Sequence, residues 1–238
     1  MRNLSASSKI YIGLILFLTI AKLFFLLAPV NFPLSDQSSA FSWLTILMIA
    51  VLGFIGLLLS RKTGFPDIWD AKVSNRQRFL VPAIIGSVYG VVTVLEEVVG
   101  TRRSPLQLSS DVHVKLPLSI LFYAYGATFL EILLRLFAIP FLVWLISNLI
   151  LRRKWQTQVF WFAAIIAAFY EPLPYMTDAL NHTGLLSALM IIVGPLFAAN
   201  IIAAYIFRKY GFLAPLVMRL SFYLVWHIAY GGLIFVPR

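Results

Sequence analysis

Glu131 and Arg135 lie one helical turn apart inside an apolar stretch that runs from Leu116 to Leu151 without another charge. An ionisable side chain at membrane depth costs about 2.5 to 3.5 kcal/mol on insertion scales, so such residues face a protein interior, a water cavity or a partner. Glu171, Arg219 and His227 occupy similar surroundings. Glutamate can serve as a general base, arginine can stabilise an oxyanion, and histidine can transfer protons or bind a metal. Two glutamates and two arginines also cancel in charge, and the same residues equally suit interhelical ion pairs. A catalytic zinc would require Glu131, Glu171 and His227 to converge, because three protein ligands and one open position suffice. Counting residues along the helices disfavours that convergence, and no metal or other cofactor is expected.

The elements that must position these residues are membrane helices. The composition is 61% hydrophobic and only 12% charged, with a mean hydropathy of +0.91, beyond the roughly 45 to 50% apolar usage of soluble domains. An all-α, polytopic transmembrane bundle is expected, forming one domain over residues 1–238. Cysteine is absent, which removes disulfides, thiolate metal sites and a cysteine nucleophile. The net charge of +10 sits mostly in short connections, where it reads as a topology signal and lipid headgroup contact rather than a nucleic-acid surface.

A helix needs about 20 apolar residues to cross about 30 Å of hydrocarbon. Seven regions qualify: Ile10 to Pro29, Phe41 to Ser60, Phe79 to Leu95, Leu116 to Leu151, Val159 to Glu171, Leu185 to Phe207 and Phe212 to Val236. The fourth exceeds one straight crossing, and Pro140 is expected to end or bend it. With the N-terminus inside, twelve basic residues fall in inner segments (Arg2, Lys9, Arg61, Lys62, Lys72, Arg76, Arg78, Arg152, Arg153, Lys154, Arg208 and Lys209) and four in outer ones (Arg102, Arg103, Lys115 and Arg238). This predicts an integral, plasma-membrane protein with a cytoplasmic N-terminus. The first span lacks a small-residue cleavage site after its apolar core and reads as an uncleaved helix.

Axial counting at 1.5 Å per residue places Glu131 in the inner half of the bilayer, with Arg219 near its depth. His227 is expected further out, beside Glu171. Arg219, Tyr223, His227 and Tyr230 recur at four, four and three residues and form one stripe on the last helix. Glu96 and Glu97 read as a solvated cluster at a loop entry. His113 and His182 fall in predicted outer loops without an assigned role, and Asn181-His-Thr183 matches a glycosylation triplet that occurs often by chance.

The stretch Gly126-Ala-Thr-Phe-Leu-Glu-Ile-Leu-Leu-Arg135 resembles the first motif of the CPBP family of intramembrane proteases, related to CAAX-prenyl endopeptidase and bacteriocin-processing proteins. In that motif two glutamates precede an arginine; Glu131 and Arg135 match, while Leu130 replaces the first glutamate. Ala163 to Glu171 resembles the second motif, with Ala167 in place of its phenylalanine and Glu171 in place of its histidine. Gly211-Phe-Leu-Ala-Pro-Leu-Val-Met218 opens like the third motif, after which Arg219 occupies the histidine position and Tyr223 the asparagine position. The similarity covers residues 118–231. It implies an intramembrane peptidase with altered active-site residues, or its non-catalytic relative, in which Glu131 activates water and a membrane-associated peptide is the substrate. The competing reading from the residues alone is a small transporter or an assembly protein with structural ion pairs.

Overall fold

A computed structural model of the protein describes residues 5–27, 42–103, 113, 114, 116–173, 185 and 194–234. They form seven helices and, among the described residues, no strand. We label these α1 (Ala6–Leu27), α2 (Trp43–Thr63), α3 (a π-turn Arg76–Leu80 continued by Val81–Arg103), α4, α5 (Gln156–Tyr170), α6 (Gly194–Tyr210) and α7. Helix α4 runs as α-helix over Leu118–Glu131, π-helix over Ile132–Ala138, α-helix over Ile139–Leu142 and π-helix over Val143–Ile150. Helix α7 is α-helical over Leu213–Tyr223 and π-helical over Leu224–Ile234. Five of the seven are long and apolar enough to cross a membrane. Helix α5 has only 15 residues, about 22 Å of rise, and residues 186–193 of the expected sixth span lie outside the described residues.

Of the two outcomes expected at Pro140, an end or a bend, the first does not occur. The helix continues from Leu118 to Ile150 as a single element of 33 residues. Before the proline, the Ile139 N–H bonds Leu134 O in an i→i−5 register, and after it the Val143 N–H bonds both Ile139 O and Pro140 O. The missing donor thus falls where the ladder changes register, so the helix loses little there. In its last turn Leu149 and Ile150 are exposed.

Small residues let the helices approach closely. A Cβ on Gly86 of α3 would sit 2.0 Å from Met218 O of α7, and one on Gly56 of α2 would sit 2.1 Å from Leu136 O in the π-segment of α4. Only glycine allows backbone contact at those crossings, as is common between membrane helices. Helix α2 starts at Ser42, whose Oγ accepts a bond of 3.1 Å from Thr45 N, and stops at Gly64, whose φ of 77° is left-handed.

Helix α4 packs against α1, α2, α5 and α7, while α7 also packs against α3 and α6. The shared core includes Leu18, Phe25, Ile132, Leu136, Ile139, Phe160, Phe207 and Phe212. Large apolar residues such as Ile20, Leu44, Val88 and Ile166 point outward, as expected for helices surrounded by lipid. Charge lies inside the bundle and at its ends.

At one end, Trp69 N donates to Ser7 Oγ at 3.0 Å, Asn148 Nδ2 to Lys62 O at 3.1 Å, and Arg208 Nη2 to Thr157 Oγ1 at 2.8 Å. The start of α1, the end of α2, the α4–α5 connection and the end of α6 therefore meet there. The described basic residues of the expected inner segments gather at this end. Arg78 is an exception to a purely surface role: it is buried, stacks 3.9 Å from the Trp69 ring and donates to Asp70 O, Val73 O and Asn75 Oδ1. It ties the α2–α3 connection together.

Candidate active site

Four of the five expected residues meet in one buried centre. Glu131 is the last α-helical residue of α4 before the π-segment, and Arg135 follows inside that segment. Glu131 is fully buried and Arg135 is 1% exposed. Arg219, projecting from α7, donates through Nε to Glu131 Oε1 at 2.6 Å and through Nη1 to Glu171 Oε1 at 2.7 Å. Arg135 Nη1 lies 3.4 Å from the same Glu131 Oε1. The buried ion pair expected of Glu131 is therefore present, and its principal partner is Arg219.

Asn200 of α6 completes this centre and is the residue the sequence reading missed. Its Oδ1 accepts from Arg219 Nη2 at 3.1 Å and from Arg135 Nη2, while its Nδ2 donates to Glu171 Oε2 at 2.8 Å. Its backbone carbonyl also accepts from Arg135 Nη2 at 3.1 Å. The signal was available: Asn200 is the sole side-chain amide in the apolar run from Leu196 to Phe207. A buried amide without partners would be costly. The network joins α4, α5, α6 and α7 with two positive and two negative charges.

Glu171 was expected near His227 and is instead held by Arg219 and Asn200. Axial counting treats every helix as starting at one level, but α5 starts after a connection at 151–155 and α7 starts at once after α6. The long arginine stem spans the remaining difference.

His227 stands apart from this centre. Its Nδ1 is 3.2 Å from His113 Nδ1, its ring stacks on Tyr123 with centroids 4.0 Å apart, and His113 Nε2 is 3.4 Å from Glu97 Oε1. Trp226 Nε1 donates to Glu97 Oε2 at 2.7 Å. One expectation fails here: Glu97 is not a solvated loop-entry residue but is held by Trp226 and His113. His113 lies in the α3–α4 connection, as expected, and is buried there. Both sit at span ends, where polarity is ordinarily a sign of solvent. The stripe on α7 is otherwise as expected: Arg219 Nη1 donates to Tyr223 OH at 3.3 Å, and the Tyr223 ring lies 5.2 Å from that of His227. Tyr223 thus bridges the two clusters. His182 and the triplet at Asn181 lie outside the described residues, and no three metal-binding side chains converge among the described ones.

A small cavity of about 20 Å³ adjoins the charged centre between α3, α6 and α7, with Tyr89, Ala199, Met218 and Phe222 among its walls. Glu131, Glu171, Asn200 and Arg219 contribute its polar side. It can hold a water but not a peptide. Glu131 Oε2 is buried and accepts no hydrogen bond from the described residues. The water-sized space is therefore bordered by two carboxylates, the Arg219 guanidinium and the Asn200 amide, with Arg135 behind them.

Comparison with known families, curated proteins and solved structures finds no match.

Proposed function

We propose that the chain is a glutamate-dependent intramembrane peptidase of CPBP-like organisation, acting on a membrane-associated peptide. The observation that carries this reading is Glu131 Oε2, a buried carboxylate oxygen left without a protein partner where Glu131 lines a water-sized cavity. Buried polar atoms are almost always bonded to protein or water, so this oxygen calls for a water, which reaches it only as the wall between it and the cavity gives, since Glu131 is fully buried. In the proposed reaction the water oxygen bonds the peptide carbonyl carbon while its proton passes to Glu131. The carbon–nitrogen bond then breaks as that proton moves to the leaving amine. Arg219 lies beside this position and stabilises the oxyanion. Arg135 and Glu171 hold Arg219 and Asn200 in register, and His227 acts only through Tyr223. Entry of a peptide requires α3 and α6 to separate over the cavity. The basic end faces the cytoplasm of a plasma-membrane protein, in keeping with the positive-inside bias.

A second reading has an observation of its own. Glu131 Oε1 contacts two guanidinium groups, and Glu171 is held by a third contact and an amide, so the charges compensate each other as a packing lock would. In that case the chain is a non-catalytic relative or assembly protein.

The two separate on reconstitution with a panel of membrane peptides. Wild type should cleave, and Glu131→Gln should lose about 10²- to 10⁴-fold in rate, the usual worth of a general base, while remaining folded by thermal unfolding. Activity should resist chelators. Full activity in Glu131→Gln removes the base, loss on chelation restores a metal mechanism, and absence of any cleavage favours the lock.

A further inference from the structure

The basic end holds a second cavity, of about 220 Å³, where the end of α2 meets the start of α5 and the end of α6. Thr63, Gly64, Gln156 and Arg208 line it together with the rings of Phe65 and Phe160. Gln156 donates to Thr63 O across the α2–α5 junction, which fixes one wall. Arg208 forms another. Its Nη2 donates to Thr157 Oγ1 at 2.8 Å, and its guanidinium carbon lies 4.8 Å from the Phe160 ring centroid. No carboxylate pairs with Arg208 among the described residues, because Asp67 on the nearby connection is taken by Arg61 at 2.9 Å. The exposed side chains of Arg152, Arg153 and Lys154 immediately precede this part of α5, and Lys62 and Lys209 flank it on α2 and α6.

An arginine oriented by a hydroxyl and an aromatic face, left without an acid, and set in a polar cavity is matched to an anion with several acceptor oxygens. The cavity lies at the helix ends, at the level where a bilayer presents its headgroups. Beyond Phe160, α5 exposes Phe162, Ile165 and Ile166, a path for acyl chains. We infer that this cavity binds the phosphate of an anionic phospholipid headgroup, with Arg208 as its principal contact. The shared chemistry is a phosphate anion, and the lipid is the source to which the exposed apolar face of α5 points. The inference is independent of whether the Glu131 centre is catalytic.

The full chain in detergent provides the test. Thermal unfolding is followed in micelles doped with phosphatidylglycerol or phosphatidylcholine, and separately with inorganic phosphate. Phosphatidylglycerol should stabilise wild type more than phosphatidylcholine does. Arg208→Gln, which keeps a donor for Thr157, should weaken binding by well over the about fivefold that any one basic residue at an anionic surface is worth, because it removes a charge-assisted bond to the phosphate. Arg208→Lys should retain most of the effect by keeping the charge, and Lys209→Gln should cost no more than about fivefold. Equal loss in Lys209→Gln and Arg208→Gln would reduce the site to a diffuse basic surface and overturn the inference. So would an Arg208→Gln protein that responds like wild type, or a wild type indifferent to phosphatidylglycerol. A full response to inorganic phosphate alone would overturn the lipid source.

Discussion

Two polar clusters share the last helix, and they differ in what surrounds them. The Glu131–Arg219 centre lies mid-bundle and balances formal charge: two carboxylates face two guanidiniums, with Asn200 joining them. The Glu97–His113–His227 cluster lies nearer the opposite end from the basic loops and is held by rings, with Trp226 and Tyr123 against the histidines. The first resists separation because each charge would be stranded in a dry interior. The second can lose a member and keep its aromatic packing. Buried charge therefore ties helices together more tightly than buried imidazole does.

The largest expected effect breaks the first cluster. Arg219→Leu should destabilise the protein by about 3 to 5 kcal/mol, because it strands Glu131 and Glu171; thermal or denaturant unfolding in detergent measures this. Next comes Gly86→Val, whose Cβ must occupy the position 2.0 Å from Met218 O. Displacing α3 from α7 moves Tyr89 and Glu97 together, so it should cost about 1 to 3 kcal/mol and disturb both clusters at once, seen as increased amide exchange along α7. Glu97→Gln sharpens the contrast. It keeps an acceptor for Trp226, and its cost should be about 1 to 2 kcal/mol, well below that of Arg219→Leu in the same unfolding assay. Arg61→Gln gives the baseline. Its pair with Asp67 is exposed at the surface, and its loss should change stability by less than about 1 kcal/mol.

The same contrast explains what could be read from the chain. The seven-helix pattern and the gathering of basic residues at one end followed from hydropathy and spacing, because lipid admits little but helices. Glu131, Arg135 and Arg219 were recognisable because nothing else charged lies near them in sequence. Asn200 carried a weaker version of that signal. Glu97 and His113 did not, since a polar residue at the end of a span has the same sequence context whether it is buried or solvated. Glu171 was located by axial counting, which ignores where each helix begins, and so was set beside His227 instead of Arg219. Pro140 was expected to end or bend its helix, and it does not end it because the π-segments on either side change the register around it. Each error concerns a third dimension that one-dimensional spacing does not encode.

The most direct test is a double-mutant cycle on Glu131 and Arg219, using Glu131→Gln, Arg219→Met and the combined variant, with unfolding free energies measured in one detergent. A buried pair bonded at 2.6 Å should give a coupling of about 2 to 3 kcal/mol, near the upper range for contacting residues. The double variant should then be more stable than the sum of the single losses implies. Additivity within about 0.5 kcal/mol would mean that the two residues do not share a network, contradicting the charged centre on which the functional reading stands.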